Sequence, residues 1–156
     1  MVAWCDAVAA GVSFFWPELK EGSVKIEKVV IFTDGTAEPN PGPAAIGAII
    51  KDEQGKNLAT ISQPIGRATS NQAEYRAIIA ALEYAIRLGA SQVEAYSDSE
   101  LAVRQINRRY RVKAAPLKPL YQKVRQLINQ LTSFTITYIP REQNKEADSL
   151  AYMALE

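Results

Sequence analysis

Val29-Val30-Ile31-Phe32 is an uninterrupted apolar run that closes on Thr33 and Asp34. A strand apolar at consecutive positions is apolar on both faces, and such strands lie at the centre of sheets covered on both sides. The rest of the chain has to supply that cover. Asp34-Gly35 gives a turn signal at the end of the run, and Pro39-Asn40-Pro41-Gly42-Pro43 reads as a rigid loop. Ala45–Ile50 and Asn57–Pro64 read as two more strands, joined by a hairpin turn at Glu53-Gln54-Gly55-Lys56. The pattern then becomes helical. Asn71 to Leu88 places Ile78, Ala81, Leu82 and Ala85 on one face, and Gly89 stops it. Val93–Tyr96 is a short strand, and Ser97 and Asp98 open a helix carrying Leu101, Ala102, Gln105 and Ile106. Pro116 and Pro119 mark the next helix start, followed by a regular stripe of Leu117, Leu120, Tyr121, Val124, Leu127, Ile128 and Leu131. Phe134–Ile139 alternates as a strand, and residues 143–155 close the chain as a helix. The order βββαβααβα predicts an α/β domain, a mixed sheet with helices on both faces.

A chain of 156 residues suits one domain. It contains no histidine. That excludes a Ser-His-Asp hydrolase, a histidine-ligated zinc site and acid–base chemistry built on imidazole. Catalysis would have to use carboxylates, lysine, tyrosine, hydroxyls or a metal. Cys5 is the single cysteine and has no intrachain partner, which agrees with a reducing, cytoplasmic setting. No uncharged apolar run reaches the roughly 18 residues of a membrane span. Residues 1–24 read as an N-terminal extension to a domain at 25–156. Their apolar stretch Val8–Trp16 follows Asp6 rather than a basic segment, unlike a signal peptide. Phe14, Phe15 and Trp16 are expected to pack on the domain or on a partner.

The formal net charge of +1 conceals a strong asymmetry. Residues 1–100 carry 8 basic and 13 acidic side chains, whereas residues 101–141 carry 9 basic ones and no Asp or Glu. Within that block Arg108, Arg109, Arg111 and Lys113 surround Tyr110 and Val112. A solvated helix face would also be basic, but this density of cations around an aromatic suits a surface that tracks phosphates.

Four carboxylates fall at comparable places in the pattern. Asp34 ends the first strand, Glu74 lies in the first turn of the first helix, Asp98 follows the fourth strand, and Asp148 lies early in the last helix. Groups just past the C-terminal ends of adjacent parallel strands converge on one crevice. Each residue alone also has a plain structural role. Asn71-x-x-Glu74 and Ser97-x-x-Glu100 match capping boxes, Asp98 would then be a favourable first-turn charge, and Asp148 could be a surface charge. Convergence of all four would need a cation to offset their repulsion. Mg²⁺ prefers such oxygen ligands, and two ions a few Å apart can clamp an in-line attack at phosphorus without histidine.

The residues around these carboxylates complete four motifs. Phe32-Thr33-Asp34-Gly35-Thr36 with Asn40-Pro41-Gly42-Pro43 resembles the first motif of type 1 ribonuclease H. Thr69-Ser70-Asn71-Gln72-Ala73-Glu74-Tyr75 resembles the second, Tyr96-Ser97-Asp98-Ser99-Glu100-Leu101 the third, and Asn144-Lys145-Glu146-Ala147-Asp148-Ser149-Leu150-Ala151 the fourth. The match runs in the family's order over residues 27–155. It implies the ribonuclease-H-like fold, a five-stranded mixed sheet with three antiparallel strands and then two parallel ones. It implies a monomeric endoribonuclease that cuts the RNA strand of RNA–DNA hybrids, leaving 5′-phosphate and 3′-hydroxyl ends. Asp34, Glu74, Asp98 and Asp148 would hold two Mg²⁺ ions, with Mn²⁺ as a substitute. Asn40, Ser70 and Asn71 would contact the minor groove and Thr69 a DNA phosphate. Gly35, Arg108, Arg109, Arg111, Lys113, Arg141 and Asn144 complete the expected substrate surface. One of Thr69, Ser70 and Asn71 is also expected to cap the helix.

The sequence departs from many relatives in three ways. The loop before the fourth motif, Pro140-Arg141-Glu142-Gln143-Asn144, is short and has no histidine. The segment between Asp98 and Pro116 has no room for a basic protrusion. Residues 1–23 lack the aromatic-basic pattern of a hybrid-binding domain. The first two, with Tyr110-Arg111-Val112-Lys113-Ala114, resemble an archaeal-type subgroup, which implies double-stranded RNA as a second candidate substrate. A non-catalytic binding module and a junction resolvase are rival readings on the same fold. The intact acidic set argues against the first, and Ser70-Asn71 beside Glu74 against the second.

Overall fold

The structure is a computed structural model that describes residues 26–155. The expected packing of Phe14, Phe15 and Trp16 and the position of Cys5 lie outside the described residues. The sheet has five strands in the order β3-β2-β1-β4-β5. These are β1 (Lys28–Ala37), β2 (Gly42–Lys51), β3 (Asn57–Ala68), β4 (Gln92–Ser97) and β5 (Ser133–Tyr138). β1 is central, antiparallel to β2 and parallel to β4; β3 extends the antiparallel side and β5 the parallel side. The helices are α1 (Ser70–Arg87), α2 (Glu100–Ile106), α3 (Lys118–Ile128) and α4 (Lys145–Leu155). The element order and the mixed sheet agree with the sequence pattern.

Two glycines show how the layers meet. A Cβ on Gly35 would stand 2.2 Å from the backbone carbonyl carbon of Ala73 in α1. A Cβ on Gly47 would stand 2.2 Å from the carbonyl oxygen of Ala147 in α4. Helices therefore press on opposite faces of the sheet through backbone that only glycine leaves room for. α1 is buried almost continuously from Ala73 to Ala85, because it lies between the sheet and α3. The stripe on α3 buries Leu120, Val124 and Leu127, preceded by Leu117 in a 3-10 turn, while Tyr121, Ile128 and Leu131 pack at its margin. No described helix is long and apolar enough to cross a membrane.

The differences from the sequence reading lie at element ends. Asp34-Gly35 does not turn the chain; β1 runs on to Ala37, with Asp34 opposite Gly47. The glycine is there for the approach of α1, not for a turn. β3 continues past Pro64 to Ala68, with a register shift that leaves Ile65 unpaired between Pro64 and Gly66. Proline survives there because β3 is an edge strand. The helix after β4 starts at Glu100, later than expected, because Ser99 rather than Ser97 caps it, its side chain accepting from the Ala102 N–H.

Candidate active site

The register of the parallel pair assembles the site. Thr33 of β1 stands beside Ser97 of β4, so the next residues along each strand, Asp34 and Asp98, emerge side by side. Glu74 comes from the first turns of α1, brought close by Gly35. Carboxylate oxygens of Asp34, Glu74 and Asp98 all lie within 4.8 Å of one another. Asp148, in the first turn of α4, stands near enough to Asp34 to help raise its carboxyl and lies outside this cluster. All four predicted carboxylates thus meet at one end of the sheet.

Glu74 is held at both oxygens. The Gly35 N–H donates to Oε1 at 2.5 Å, and the Ser97 hydroxyl donates to Oε2 at 3.4 Å. The suggested Asn71-x-x-Glu74 box does not form. Thr69 caps α1 instead, its hydroxyl accepting from the Gln72 N–H while the Gln72 side chain accepts from the Thr69 N–H. Glu74 is left free for the site. Asp98 is little exposed, and its Oδ2 is buried without a hydrogen-bond partner. The guanidinium of Arg141, itself largely exposed, stands 3.8 Å from that oxygen.

Burial and mutual repulsion act on these acids together. Asp34 is driven far above the usual carboxylate range, first by burial and then by Glu74, Asp98 and Asp148. Glu74 is pushed up to about 7, chiefly by burial, against the opposing hydrogen bonds from Asp34, Gly35 and Ser97. A buried acid set with one oxygen that accepts no hydrogen bond, faced only by the largely exposed Arg141 at 3.8 Å, fits hard divalent ions, which take oxygen ligands.

The other predicted residues divide into groups. The Asn40 side chain accepts from the Ser70 N–H at 3.0 Å, tying its loop to the start of α1. Asn40, Thr69 and Asn71 line one hollow of about 350 Å³ together with Ala114, Pro116 and Leu117. Arg108, Arg109 and Arg111 line a separate hollow of about 590 Å³ beyond α2, while Lys113 stands exposed after it. Gly35 spends its N–H on Glu74. Asn144 is buried, and its side-chain amide donates to the Thr33 carbonyl at 2.8 Å, so it pins the start of α4 to β1. Its amide oxygen is buried without a hydrogen-bond partner.

Ser97 escaped sequence reasoning. It is fully buried, donates to Glu74 and accepts from the Ser99 N–H. The signal was present: β4 buries every second residue, and Ser97 is the polar one on the buried side. A buried hydroxyl there must have a partner.

A protein-family profile described as "Reverse transcriptase-like" matches residues 32–154. A ribonuclease HI of Halobacterium salinarum is 38% identical over 129 residues, covering 83% of this chain and 65% of the relative. The crystal structure of the halophile's RNase H1 superposes with a TM-score of 0.80 and 38% identity, covering 82% of this chain and 97% of that one. The chain is 42% identical to a bifunctional protein of Mycobacterium tuberculosis over 83% of its own length but spans only 36% of that protein. The N-terminal RNase H domain of the same protein superposes with a TM-score of 0.81, covering 83% of this chain and 99% of that one. LC11-RNase H1, isolated from compost by a metagenomic approach and solved in complex with an RNA/DNA hybrid, is 41% identical, with a TM-score of 0.78 and coverage of 81% and 96%.

Proposed function

The chain belongs to the ribonuclease H family, and on that premise we propose that it is an endoribonuclease that hydrolyses the RNA strand of RNA–DNA hybrids. The products would carry 5′-phosphate and 3′-hydroxyl ends. The observation that carries this reading is the cluster of Asp34, Glu74 and Asp98, with carboxylate oxygens within 4.8 Å and an orphaned oxygen on Asp98.

Asp34, Glu74 and Asp98 would hold divalent cations, with Asp148 completing the set. Two Mg²⁺ ions, or Mn²⁺ in their place, supply activation of a water and stabilisation of the leaving 3′-oxygen when bound. The chain's own residues do the rest. Gly35 and Ser97 fix both oxygens of Glu74, so that carboxylate meets the substrate in one orientation. Asn144 and Thr33 hold α4 against β1 and with it the spacing of Asp148 from Asp34. Arg141 faces Asp98 from an exposed position, where it can meet a phosphate as the substrate docks.

Recognition would fall to the hollow of Asn40, Thr69 and Asn71, with Ser70 tied to Asn40 through its N–H. Short hydroxyl and amide side chains suit the wide minor groove, where 2′-hydroxyls distinguish RNA from DNA. Arg108, Arg109, Arg111 and Lys113 add charge for the backbone.

End-labelled RNA–DNA, RNA–RNA and DNA–DNA duplexes, with Mg²⁺, Mn²⁺ or EDTA, test the proposal directly. Metal-dependent cutting of the hybrid's RNA strand is expected, abolished by Asp34→Asn in a protein that stays folded. Absence of cutting by the folded wild-type chain with either metal would overturn it. The RNA–RNA duplex decides whether double-stranded RNA is also a substrate.

A further inference from the structure

The hollow beyond α2 does not resemble a surface made only to lie along a duplex. It measures about 590 Å³, within the roughly 300–1,000 Å³ of pockets that enclose small ligands. Arg108, Arg109, Arg111 and Lys118 bring four cations to its wall, and no acidic residue occurs between positions 101 and 141. Tyr110 and Tyr121 bring two aromatic rings. Tyr110 is 49% exposed, and the guanidinium of Arg104 packs 5.4 Å from its centre without lining the hollow.

The wall is fixed before any ligand arrives. The Arg109 and Tyr110 N–H groups both donate to the Arg104 carbonyl, and the Arg108 N–H donates to the Gln105 carbonyl. Arg108, just past the C-terminus of α2, adopts the left-handed φ of 62° of a helix-capping turn, and these bonds close that turn. Beneath the wall, the buried Gln105 side chain donates to the Arg111 carbonyl at 3.4 Å and accepts from the Tyr75 hydroxyl at 2.6 Å. Tyr75 follows Glu74 in α1, so the hollow and the acidic site share one buried support.

A paired duplex presents phosphates on its outside and keeps its bases stacked inside. It can engage the cations but leaves the exposed ring and the depth of the hollow unused. An unpaired nucleotide uses all three, because cationic grooves lined by aromatic rings bind single strands by phosphate contact and base stacking. We propose that this hollow accepts an unpaired nucleotide that extends one strand of the hybrid beyond its last base pair. The phosphate lies on the arginines and the base against Tyr110. The inference rests on the hybrid-cleaving reading and adds a preference to it: the protein favours hybrids that carry a single-stranded extension.

Fluorescence anisotropy in EDTA, where nothing is cut, tests this with three hybrids of equal paired length: one blunt, one with a DNA extension and one with an RNA extension. A gain of about 5-fold or more in affinity is expected from at least one extension, the scale of one stacked base. Tyr110→Ala should erase that gain while leaving blunt-hybrid affinity unchanged, and Tyr110→Phe, which keeps the ring, should retain it. No gain from either extension, or a gain that survives Tyr110→Ala, overturns the proposal. Failure of the underlying reading has another signature, since the blunt hybrid would then resist cleavage when magnesium is supplied.

Discussion

Gly35 illustrates how much a single position carries. Its missing side chain lets α1 approach β1, and its N–H fixes Glu74. Gly35→Ala would drive a methyl into the Ala73 backbone, where neither partner can yield. A loss of about 1–3 kcal/mol or more is expected from chemical denaturation, with cleavage falling further than stability explains because Glu74 is displaced. The acids themselves set a pH dependence. Asp34 and Glu74 have folded-state values raised above those of the unfolded chain, so the folded state binds more protons. Their contribution is fully favourable below the ordinary carboxylate range and is lost as pH rises, with Glu74 passing its midpoint at about 7. In EDTA the melting temperature should therefore fall between pH 5 and pH 8, and Mg²⁺ should restore much of the loss at pH 8. A melting temperature that rises over that interval would contradict the assignment. Sequence alone brings all four carboxylates to one end of the sheet, because the apolar runs before Asp34 and Asp98 and the helical patterns that hold Glu74 and Asp148 are visible in its polarity. One of Thr69, Ser70 and Asn71 is expected to cap α1, and Thr69 does; the two alternative boxes fit their local spacing but do not form, and Ser99 caps α2. Which of several adjacent polar residues caps depends on where the strand before it releases the chain.

The supporting elements act through polar contacts that cross between them. Tyr75 and Gln105 join α1 to α2, and Gln105 passes the connection to the loop that follows. Tyr75→Phe removes the hydroxyl and leaves a buried amide oxygen unsatisfied, a cost of about 1–3 kcal/mol measurable by urea unfolding. Its effect on catalysis should fall on substrate affinity more than on turnover, because the loop carries basic residues and not the acids. An unchanged KM beside a reduced kcat would refute that division. At this scale the helices were easily read. The stripe on α3 and the run of α1 into Gly89 follow the helical period, and Gly89 has the positive φ a stop requires. Strand ends were not legible, since β1 and β3 extend as far as their partners offer pairing, and no local pattern in Asp34–Ala37 announces that. The burial of Asn144 is hidden from the sequence for a related reason, since only the packing of α4 on β1 produces it.

Charge is distributed over the whole molecule as two opposed fields. The acidic cluster lies at the end of the parallel strands, and the cations gather after α2 and along α3. On the proposed function, a polyanion would be drawn to the second field and would need cations to approach the first. Binding of hybrid should weaken steeply with salt, and Arg111→Ala should lower the slope of log K against log salt by about one. A slope untouched by that change would remove Arg111 from the phosphate contacts. The sheet that carries both fields ends, among the described residues, in two poor margins. β5 spans only Ser133–Tyr138, and β3 is broken by Pro64, the unpaired Ile65 and Gly66 with its φ of 80°. Interruptions of this kind deny a passing chain a continuous ladder of free amides and carbonyls. At that margin, a strand added from another molecule would meet a gap at Pro64–Gly66, where a plain edge would have offered amyloid-like stacking a continuous template.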